Sequence, residues 1–366
     1  MVTDNRHFFD VAAHFCLQGE VIDVKPLGNG LINDTLKITT AGSTTPDYVL
    51  QRINNSIFTD VPLLQRNIEV VTRHIRAKLL QRGEKDIDRK VLTFVPTKEG
   101  KTYFEAPDGT YWRVAVFIPD AYTYEAVTPE YSYSAGRSFS EFEAMLTDVP
   151  EQLGETIPDF HNMALRRRQL DEATKEDKVG RVKEVSNLLN EIYDHVEHMC
   201  MAEELYKEGR LPKRICHCDT KVNNMLFDKD GHVLCVIDLD TVMPSFVFSD
   251  YGDFLRTGAN FVAEDCPDLK DVGFNMEIFR AFTEGYIEGS ESFLTPIERD
   301  NLPFAAALFP FMQAVRFLTD YINGDTYYKI QYPEHNLVRT ENQMALFRDV
   351  VRHEGEMNDF IKRLTR

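Results

Sequence analysis

One short segment combines the side chains that phosphoryl transfer requires. Residues 217–224, His-Cys-Asp-Thr-Lys-Val-Asn-Asn, follow the pattern H-x-D-x-x-x-x-N. In kinases this spacing lets the aspartate face an acceptor hydroxyl while the asparagine reaches a divalent metal ion on the nucleotide. A lysine two residues after the aspartate can place its ammonium group near the transferring phosphoryl group. We therefore predict that Asp219 and Lys221 are catalytic and that Asn224 is a metal ligand.

A second metal ligand is predicted further along the chain. Nineteen residues after Asp219, the apolar stretch Val-Ile-Asp-Leu-Asp at 236–240 ends in two carboxylates, the first of which is Asp238. Carboxylate oxygens suit hard cations such as Mg²⁺. The intervening Asp-Lys-Asp-Gly at 228–231 predicts a hairpin that returns the chain toward Asn224. The alternative is that these residues are ordinary loop acids and amides.

A glycine turn near the N-terminus is a candidate contact for nucleotide phosphates. Gly28, Gly30 and Asn33 lie between the first two predicted strands. Glycine lets the backbone turn tightly and approach phosphate oxygens closely. A plain hairpin turn explains the same Asn-Gly sequence, so the prediction depends on the place of the turn in the first hairpin.

A cation for the phosphates is predicted on the third strand. Arg52 lies there in Leu-Gln-Arg-Ile, where kinases usually have a lysine, and Glu69 on the following helix is its candidate partner. A guanidinium group is larger than an ammonium group and prefers planar, bidentate partners. A surface ion pair is the alternative. Phe117 is also predicted to contact the nucleotide.

The predicted secondary structure, which must position these residues, changes near residue 119 from mainly strands to mainly helices. Up to that point, strand-like segments surround one helix whose apolar residues recur every three or four positions. The predicted strands are 21–27, 35–40, 48–53, 90–95, 102–106 and 111–118, and the predicted helices are 6–18 and 61–79. Beyond it, helical periodicity covers 135–147, 150–162, 181–208, 275–288 and 303–322, with one hairpin at 225–237.

This order predicts an α+β chain with two lobes. Residues 1–118 are expected to form the nucleotide-binding lobe, and residues 119–366 the catalytic and substrate-binding lobe. The segment from Asp250 to Asp253 is expected to brace the catalytic loop through hydrogen bonds. Residues 166–178 are strongly charged and are expected to form a solvated surface stretch.

The composition limits the partners. The net charge is −18, from 59 acidic and 41 basic residues, which repels nucleic acids and anionic membranes. We therefore predict neither as a partner, whereas ATP stays compatible because backbone amides and a metal ion can hold its phosphates. No signal peptide or membrane span is predicted, and the six cysteines are scattered, so we expect reduced thiols and a cytoplasmic location.

The sequence resembles the aminoglycoside phosphotransferase/choline kinase family of the protein-kinase-like superfamily over nearly its whole length. Within that family it is most similar to the subfamily of N-acetylhexosamine 1-kinases. The similar blocks are 30–33, 54–58, 66–72, 217–225, 237–244, 250–253, 316–321 and 332–340. The last two blocks distinguish this subfamily from choline, homoserine and aminoglycoside kinases.

The resemblance implies a protein-kinase-like two-lobed fold, with a small antiparallel β-sheet N-lobe that includes one long helix and a larger, mainly helical C-lobe. It implies transfer of the ATP γ-phosphate, with Mg²⁺, to the anomeric hydroxyl of N-acetylglucosamine or N-acetylgalactosamine by a monomer. Asp219 would be the base or the orienting carboxylate for that hydroxyl. Arg316, Asp325 and Tyr327 would line the sugar pocket.

The types and positions of these residues give separate information about the predicted sugar pocket. Arg316 lies in an otherwise apolar helix, so its guanidinium needs a carboxylate or ligand oxygens unless it extends to solvent. Tyr327 follows the end of that helix and could stack on a sugar or pack against protein. His161 is interpreted as a packing residue at a helix end and is given no functional role.

Two other functions remain open. A kinase for choline, homoserine or an aminoglycoside would use the same loop, although choline needs an aromatic or acidic cage that we cannot place. A catalytically silent nucleotide-binding protein would have lost the aspartate or a metal ligand, and both are present. A protein kinase is not expected, because no D-F-G or A-P-E segment follows Asp238.

Overall fold

The chain divides into two compact units. A computed structural model describes residues 6–27 and 33–365. Unit 1 contains the described part of Met1–Thr123 together with Asp148–Pro158 and Met225–Met243. Unit 2 contains the described part of Tyr124–Thr147, Asp159–Asn224 and Pro244–Arg366. Two segments from the later part of the sequence therefore belong to the strand-rich unit.

Unit 1 is built on a five-stranded antiparallel sheet. The strands are β1 (Val21–Pro26), β2 (Asp34–Thr40), β3 (Tyr48–Ile53), β4 (Phe104–Glu105) and β5 (Tyr111–Val116), hydrogen-bonded in the order β1-β2-β3-β5-β4. Side chains alternate between the two faces of a strand, so Leu36, Ile38 and Leu50 are buried on one face. The short helix α1 (Arg6–Ala12) joins the same apolar cluster.

The long helix of unit 1 is α2 (Val61–Gln81). The side chain of Asp60 caps it by accepting a hydrogen bond from the backbone N–H of Leu63 at 2.9 Å. Pro62 lies in the first turn, where its missing N–H costs nothing. Apolar residues three or four positions apart, such as Leu64 and Ile68, are buried, as the predicted helix requires.

Asn67, fully buried on α2, connects the two segments that come from elsewhere in the sequence. Its Nδ2 donates hydrogen bonds to the carbonyl of Gly154 at 2.8 Å and to the carbonyl of Val242 at 3.1 Å. These bonds explain why both segments belong to unit 1. The second segment contains the hairpin of β7 (Met225–Phe227) and β8 (Val233–Val236).

Unit 2 is mainly helical. Its helices are α3 (Pro129–Met145), α4 (Met163–Glu176), α5 (Ser186–Met199), α6 (Met201–Lys207), α7 (Phe248–Gly258), α8 (Met276–Ser290), α9 (Pro296–Asp300), α10 (Leu302–Ile322) and α11 (His335–Leu364). The remaining strands of the chain are β6 (Arg214–Cys216) and β9 (Met243–Ser245). Helices α3 and α8 lie so close that a Cβ at Gly136 would collide with the carbonyl oxygen of Phe282, so only glycine fits.

Helix α10 is the most apolar element of unit 2. By length and composition it could cross a membrane, which the expectation of no spanning segment did not anticipate. In the structure, however, 83% of its most apolar window is buried inside the protein. That burial is typical of the central helix of a globular domain, and Asp320 and Arg316 lie on its half that follows Pro310.

The fold class predicted from the sequence is confirmed, with local corrections. The predicted strand 90–95 is reduced to an isolated bridge between Phe94 and Ala115, and the predicted helix 6–18 ends at Ala12. The predicted helix 150–162 is wrong: no helix occurs there, because Pro150, Gly154 and Pro158 interrupt it. The predicted helix 181–208 is two helices, α5 and α6, which meet at Cys200. The charged stretch 166–178 mostly belongs to helix α4.

Candidate active site

The segment predicted as the catalytic loop, residues 217–224, follows β6 in unit 2. Asp250, in the first turn of α7, accepts two backbone hydrogen bonds from this loop: the N–H of His217 reaches Oδ2 at 2.8 Å and the N–H of Cys218 reaches Oδ1 at 2.7 Å. Cys218 has a φ of 63°, a left-handed conformation that is costly for a residue with a side chain. The two bonds compensate for this cost and fix the turn that immediately precedes Asp219.

A second acid on α7 holds the next part of the loop. The N–H of Thr220 donates to Oδ2 of Asp253 at 3.1 Å, and the Thr220 hydroxyl donates to the carbonyl of Asp250 at 2.8 Å. Burial raises the pKa of Asp250 to about 6, although His217 and the loop N–H groups act in the opposite direction. The predicted bracing of the loop by this segment is confirmed.

Three predicted residues meet at the carboxylate of Asp219. The Nζ of Lys221 lies 2.5 Å from Oδ1, and the Nδ2 of Asn224 donates to Oδ2 at 3.2 Å and to the Asp219 carbonyl at 2.8 Å. Burial acts to lower the pKa of Lys221, but the charges of Asp219 and Asp253 outweigh it and raise that pKa. The lysine is therefore charged at neutral pH. Both oxygens of Asp219 are held, and each has a further lone pair for an acceptor hydroxyl.

The donor atoms at the predicted metal position are oxygens. Because the Nδ2 of Asn224 is engaged with Asp219, its Oδ1 is available, and no donor in the described part of the chain reaches it. Asp238 belongs to unit 1, two residues after Val236, which pairs with Met225 at the open end of the β7–β8 hairpin. Amide and carboxylate oxygens are ligands of hard divalent cations. Asn224 and Asp238 therefore each offer a donor atom of the type that binds the predicted ion.

Unit 1 contains a buried ion pair that the sequence patterns did not identify. Arg113, on β5, is 2% exposed, and its Nη1 contacts Oδ1 of Asp240, which is 3% exposed. Arg113 also donates to the side-chain oxygens of Gln51 at 3.0 Å and Gln65 at 3.3 Å. The second carboxylate oxygen of Asp240 accepts a hydrogen bond from Nδ2 of Asn33 at 2.6 Å.

A sequence signal for this pair exists. Arg113 interrupts an apolar strand, Tyr-Trp-Arg-Val-Ala-Val, and Asp240 is the second acid of the predicted metal segment. A buried charge needs a partner of opposite charge. The charge of Arg113 in an apolar strand therefore predicts an acidic partner, and the charge of Asp240 after an apolar strand predicts a basic one. Asp240 lies two residues after Asp238, the predicted metal ligand. The pair of Arg113 and Asp240 therefore anchors this segment to the sheet.

The predicted pair of Arg52 and Glu69 does not form. Arg52 is exposed and lies 3.6 Å from Asp34, while Glu69 accepts a hydrogen bond from the hydroxyl of Thr102. Strand alternation is the reason: it places Arg52 on the opposite face of β3 from Gln51, whose side chain faces the buried network. The alternative of a surface ion pair describes Arg52 correctly.

The other residues predicted to contact the nucleotide have varied surroundings. Gly28 and Gly30 lie outside the described residues. Asn33 is buried, and besides its bond to Asp240 it accepts a hydrogen bond from the backbone N–H of Asn54 at 2.9 Å. Phe117 follows β5, and the Nζ of Lys37 lies 4.3 Å from the centre of its ring. The side chain of Asn33 therefore already has protein partners.

A cavity of about 100 Å³ opens beside Asp219 within unit 2. Arg316 on α10 lies in its wall, and its Nη1 donates to Oε1 of Gln313 at 3.1 Å. Among the described residues no carboxylate lies within ion-pair distance of Arg316. The wall of the cavity also includes the apolar side chains Phe160, Phe309 and Met312 and the polar side chains His161, Asp253 and Arg256.

The two other residues predicted for the sugar pocket are not in this wall. Oδ2 of Asp325 lies 2.6 Å from Nη1 of Arg181, and Oδ1 accepts a hydrogen bond from Nδ2 of Asn336 at 2.8 Å. Both oxygens are thus occupied by protein, and this geometry supports a structural role for Asp325. Tyr327 is 68% exposed.

Tyr328, the next residue, is the tyrosine that approaches the cavity wall. Its hydroxyl accepts a hydrogen bond from Nε2 of Gln313 at 3.2 Å, and the guanidinium carbon of Arg316 lies 5.7 Å from the centre of its ring. Adjacent tyrosines give no local signal about which one faces inward. The tertiary structure decides it, because Asp320 accepts the backbone N–H groups of both Tyr327 and Tyr328 and fixes the turn.

The five-stranded sheet with its long helix, the helical unit and the braced loop at 217–224 define a kinase-like fold. A family model described as the phosphotransferase enzyme family matches residues 23–282, and the chain belongs to this family.

Solved structures support the same fold. An aminoglycoside phosphotransferase from Alicyclobacillus acidocaldarius is 12% identical with a TM-score of 0.64, covering 97% of this chain and 96% of that one. A choline kinase from Cryptosporidium parvum is 11% identical with a TM-score of 0.60, covering 99% and 100%. Amicoumacin kinase in complex with AMP-PNP, Ca²⁺ and Ami is 14% identical with a TM-score of 0.56, covering 97% and 93%. At these identities the similarity concerns the fold.

Proposed function

We propose that this chain is an ATP-dependent N-acetylhexosamine 1-kinase, which transfers the γ-phosphoryl group to the anomeric hydroxyl of N-acetylglucosamine or N-acetylgalactosamine. Membership of the phosphotransferase family supports the reaction class. The similar blocks 316–321 and 332–340 support the sugar as acceptor. The choice of a neutral acceptor depends on one observation, the charge of the cavity beside Asp219.

Among the residues that the structure describes, the acids in the cavity wall already have cationic partners, and Arg316 in the same wall has no carboxylate partner. Lys221 pairs with Asp219 at 2.5 Å, and Arg256 lies 3.6 Å from Asp253. Arg316 has only the neutral Gln313 as a side-chain hydrogen-bond partner. A cationic acceptor about 5 Å from that guanidinium would be repelled by about 3 kcal/mol at an effective dielectric constant of about 20. Choline and aminoglycosides carry such charges, whereas an N-acetylhexosamine offers neutral hydroxyl and carbonyl oxygens, which suit a guanidinium.

The chain's own residues have separate tasks in this reaction. Asp219 accepts a hydrogen bond from the acceptor hydroxyl and orients it for in-line attack, while Asn224 and Lys221 keep the carboxylate in place. Lys221 also supplies positive charge near the transferring phosphoryl group. Asn224 and Asp238 would hold Mg²⁺, which when bound neutralises charge on the phosphate oxygens.

The test is a panel of acceptors assayed by ADP release in the presence of ATP and Mg²⁺. The panel contains N-acetylglucosamine, N-acetylgalactosamine, choline, homoserine and an aminoglycoside, with the Asp219→Asn protein as the background control. We expect the N-acetylhexosamines to have the highest kcat/KM. The product should show the ³¹P signal of a phosphate coupled to the anomeric proton.

Two outcomes would contradict the proposal. Preferential turnover of choline or an aminoglycoside would show that the charge of the cavity does not select the acceptor. Binding of ATP without ADP release for any acceptor would favour a silent nucleotide-binding protein.

A further inference from the structure

His161 lies in the wall of the cavity that contains Asp219 and Arg316, just before the first turn of α4. Its ring stacks on Phe160 with a centroid distance of 4.2 Å, and Phe309 meets it edge-on at 4.9 Å. These contacts fix the plane of the imidazole. The ring is therefore a rigid part of the cavity wall, which the interpretation as a helix-end packing residue did not anticipate.

The imidazole of His161 lacks the hydrogen bonds that a buried histidine usually makes. Its Nδ1 is buried, and no partner reaches it among the residues that the structure describes. Buried polar atoms without partners are rare in native proteins and cost stability. A phenylalanine would make the same ring contacts without that cost, so packing alone does not explain a histidine at this position.

The surroundings of His161 keep its ring neutral. Burial lowers the pKa of His161 well below its usual value, and the nearby Arg316, Arg166 and Arg256 lower it further. Arg256 is compensated by Glu264 at 2.7 Å, whereas Arg166 donates to neutral oxygens, the carbonyls of Asp159 and Phe160 and Oε1 of Gln169. A neutral imidazole has one N–H donor and one nitrogen acceptor. The two nitrogens point in different directions, so only one of them meets a given hydroxyl group, and the tautomer decides whether that nitrogen donates to the hydroxyl oxygen or accepts the hydroxyl proton.

We propose that His161 is a specificity-determining residue that hydrogen-bonds to a second hydroxyl of the acceptor, one that is not phosphorylated. Arginine side chains only donate and carboxylates only accept. His161, by contrast, can either donate to a hydroxyl or accept from it, depending on its tautomer. The inference rests on the proposed function, because it requires an acceptor with several hydroxyl groups.

The test combines His161→Phe with acceptor analogues that each lack one hydroxyl. Phenylalanine preserves the ring contacts with Phe160 and Phe309 and removes both nitrogens. We expect kcat/KM for the N-acetylhexosamine to fall about 10- to 100-fold, the effect of losing one hydrogen bond to substrate, while the KM for ATP stays within twofold. For one deoxy analogue, wild type and His161→Phe should have the same kcat/KM, which identifies the hydroxyl.

Controls separate this role from a structural one. The melting temperature of His161→Phe should equal or exceed that of wild type, since an unpaired buried nitrogen is removed. His161→Asn and His161→Gln retain a donor and an acceptor, and we expect at least one of them to recover part of the lost kcat/KM. His195→Phe is the matched control, because that half-buried histidine also meets a phenylalanine edge-on but is not in the cavity wall.

The outcomes distinguish this inference from the proposed function. If wild type phosphorylates N-acetylhexosamines and His161→Phe retains full kcat/KM, the role of His161 is refuted and the function stands. An equal loss for every acceptor and every deoxy analogue, with a lower melting temperature, would also refute it, since that is the behaviour of a structural residue. If wild type phosphorylates no hexosamine, the proposed function itself fails.

Discussion

The buried acids of the two units have different neighbours. In unit 1, Asp240 contacts the guanidinium of Arg113 and accepts a hydrogen bond from Asn33. In unit 2, Asp250 accepts hydrogen bonds from backbone N–H groups of the loop at 217–224. A carboxylate oxygen of Asp250, a carboxylate oxygen of Glu143 and the Sγ of Cys216 all lie within 4.8 Å of one another. Like-charged carboxylates in such a group raise each other's pKa, whereas a guanidinium stabilises the charged carboxylate.

This difference shows two ways in which a protein can hold a buried acid. The Arg113 pair anchors the segment after Asp238 to the sheet through charge pairing. In unit 2, Glu143 lies beside Asp250, and burial and the charge of Asp250 raise the pKa of Glu143 well above its usual value. The acid of unit 1 is therefore held by charge pairing, whereas Asp250 is held by backbone N–H groups beside a carboxyl group with a raised pKa.

The largest effect is expected at the loop that the unit 2 acids hold. Asp219→Asn removes the carboxylate that orients the acceptor, and we expect kcat to fall by roughly 10²- to 10⁴-fold, the range for a positioned acid–base group. Steady-state kinetics with saturating ATP measure this change. Asp230→Asn, in the exposed turn of the β7–β8 hairpin, is the control. A loss of less than threefold with intact folding would show that Asp219 is not the orienting group.

The next effect concerns the ion pair of unit 1. Arg113→Met leaves the carboxylate of Asp240 buried without its cation, and we expect the free energy of unfolding to fall by about 3–5 kcal/mol. Urea unfolding followed by circular dichroism measures it. The double replacement with Asp240→Asn should recover part of the loss, because no unpaired charge remains. If the double variant is less stable than the single one, the charge pairing is not the source of the stability.

A smaller, pH-dependent effect is expected at Glu143. The native protein retains this proton above pH 4.5, where the unfolded chain loses it, so wild type should lose stability as pH rises through that region. Glu143→Gln stays neutral, and its stability should fall less, by about 1.4 kcal/mol for each unit by which the pKa is raised. Unfolding at several pH values from 4 to 8 measures both slopes.

Glu141→Gln, on the exposed face of the same helix, is the control for Glu143. Asp250, whose pKa is raised to about 6, is present in both wild type and Glu143→Gln. Its contribution to the pH dependence of the free energy of unfolding should therefore be common to the two proteins. Identical slopes for wild type and Glu143→Gln would mean that Glu143 is ionised in the native state.

The smallest effect is expected at Arg52. Its pair with Asp34 is exposed, so Arg52→Met should change the free energy of unfolding by less than about 1 kcal/mol. The KM for ATP should change less than twofold, because strand alternation directs the side chain away from the buried network. A tenfold rise in that KM would instead restore Arg52 as the phosphate-binding cation predicted from the sequence.

Much of the fold followed from local patterns. The strands at 21–26, 34–40 and 48–53 and the helix α2 agree closely with their predicted ranges, because periods of 2 and 3.6 residues are properties of the local backbone. The predicted helix at 150–162 is absent because Pro150, Gly154 and Pro158 interrupt helical backbone, but its actual position depends on a distant contact. That segment is held by α2 through Asn67 and Gly154, a contact between residues 87 positions apart.

The loop residues of the candidate site followed from the sequence, whereas the surroundings of the residues predicted for the sugar pocket did not. The grouping of Asp219, Lys221 and Asn224 followed from spacing within one loop, which a single turn of backbone can satisfy. The choice between Tyr327 and Tyr328, and the partners of Asp325, depended on hydrogen bonds from Asp320, Arg181 and Asn336 that no local pattern encodes.

By itself the sequence determined the grouping of residues 219–224 in one loop, the order of strands and helices, and the presence of charges that needed partners. The tertiary structure alone decided which partners they received: Arg113 met Asp240, 127 positions away, and Arg52 did not meet Glu69. It also placed His161 in a cavity wall among arginines. The physical reason is that backbone periodicity is a local property, whereas the burial of a charge or of a ring nitrogen depends on every element packed around it.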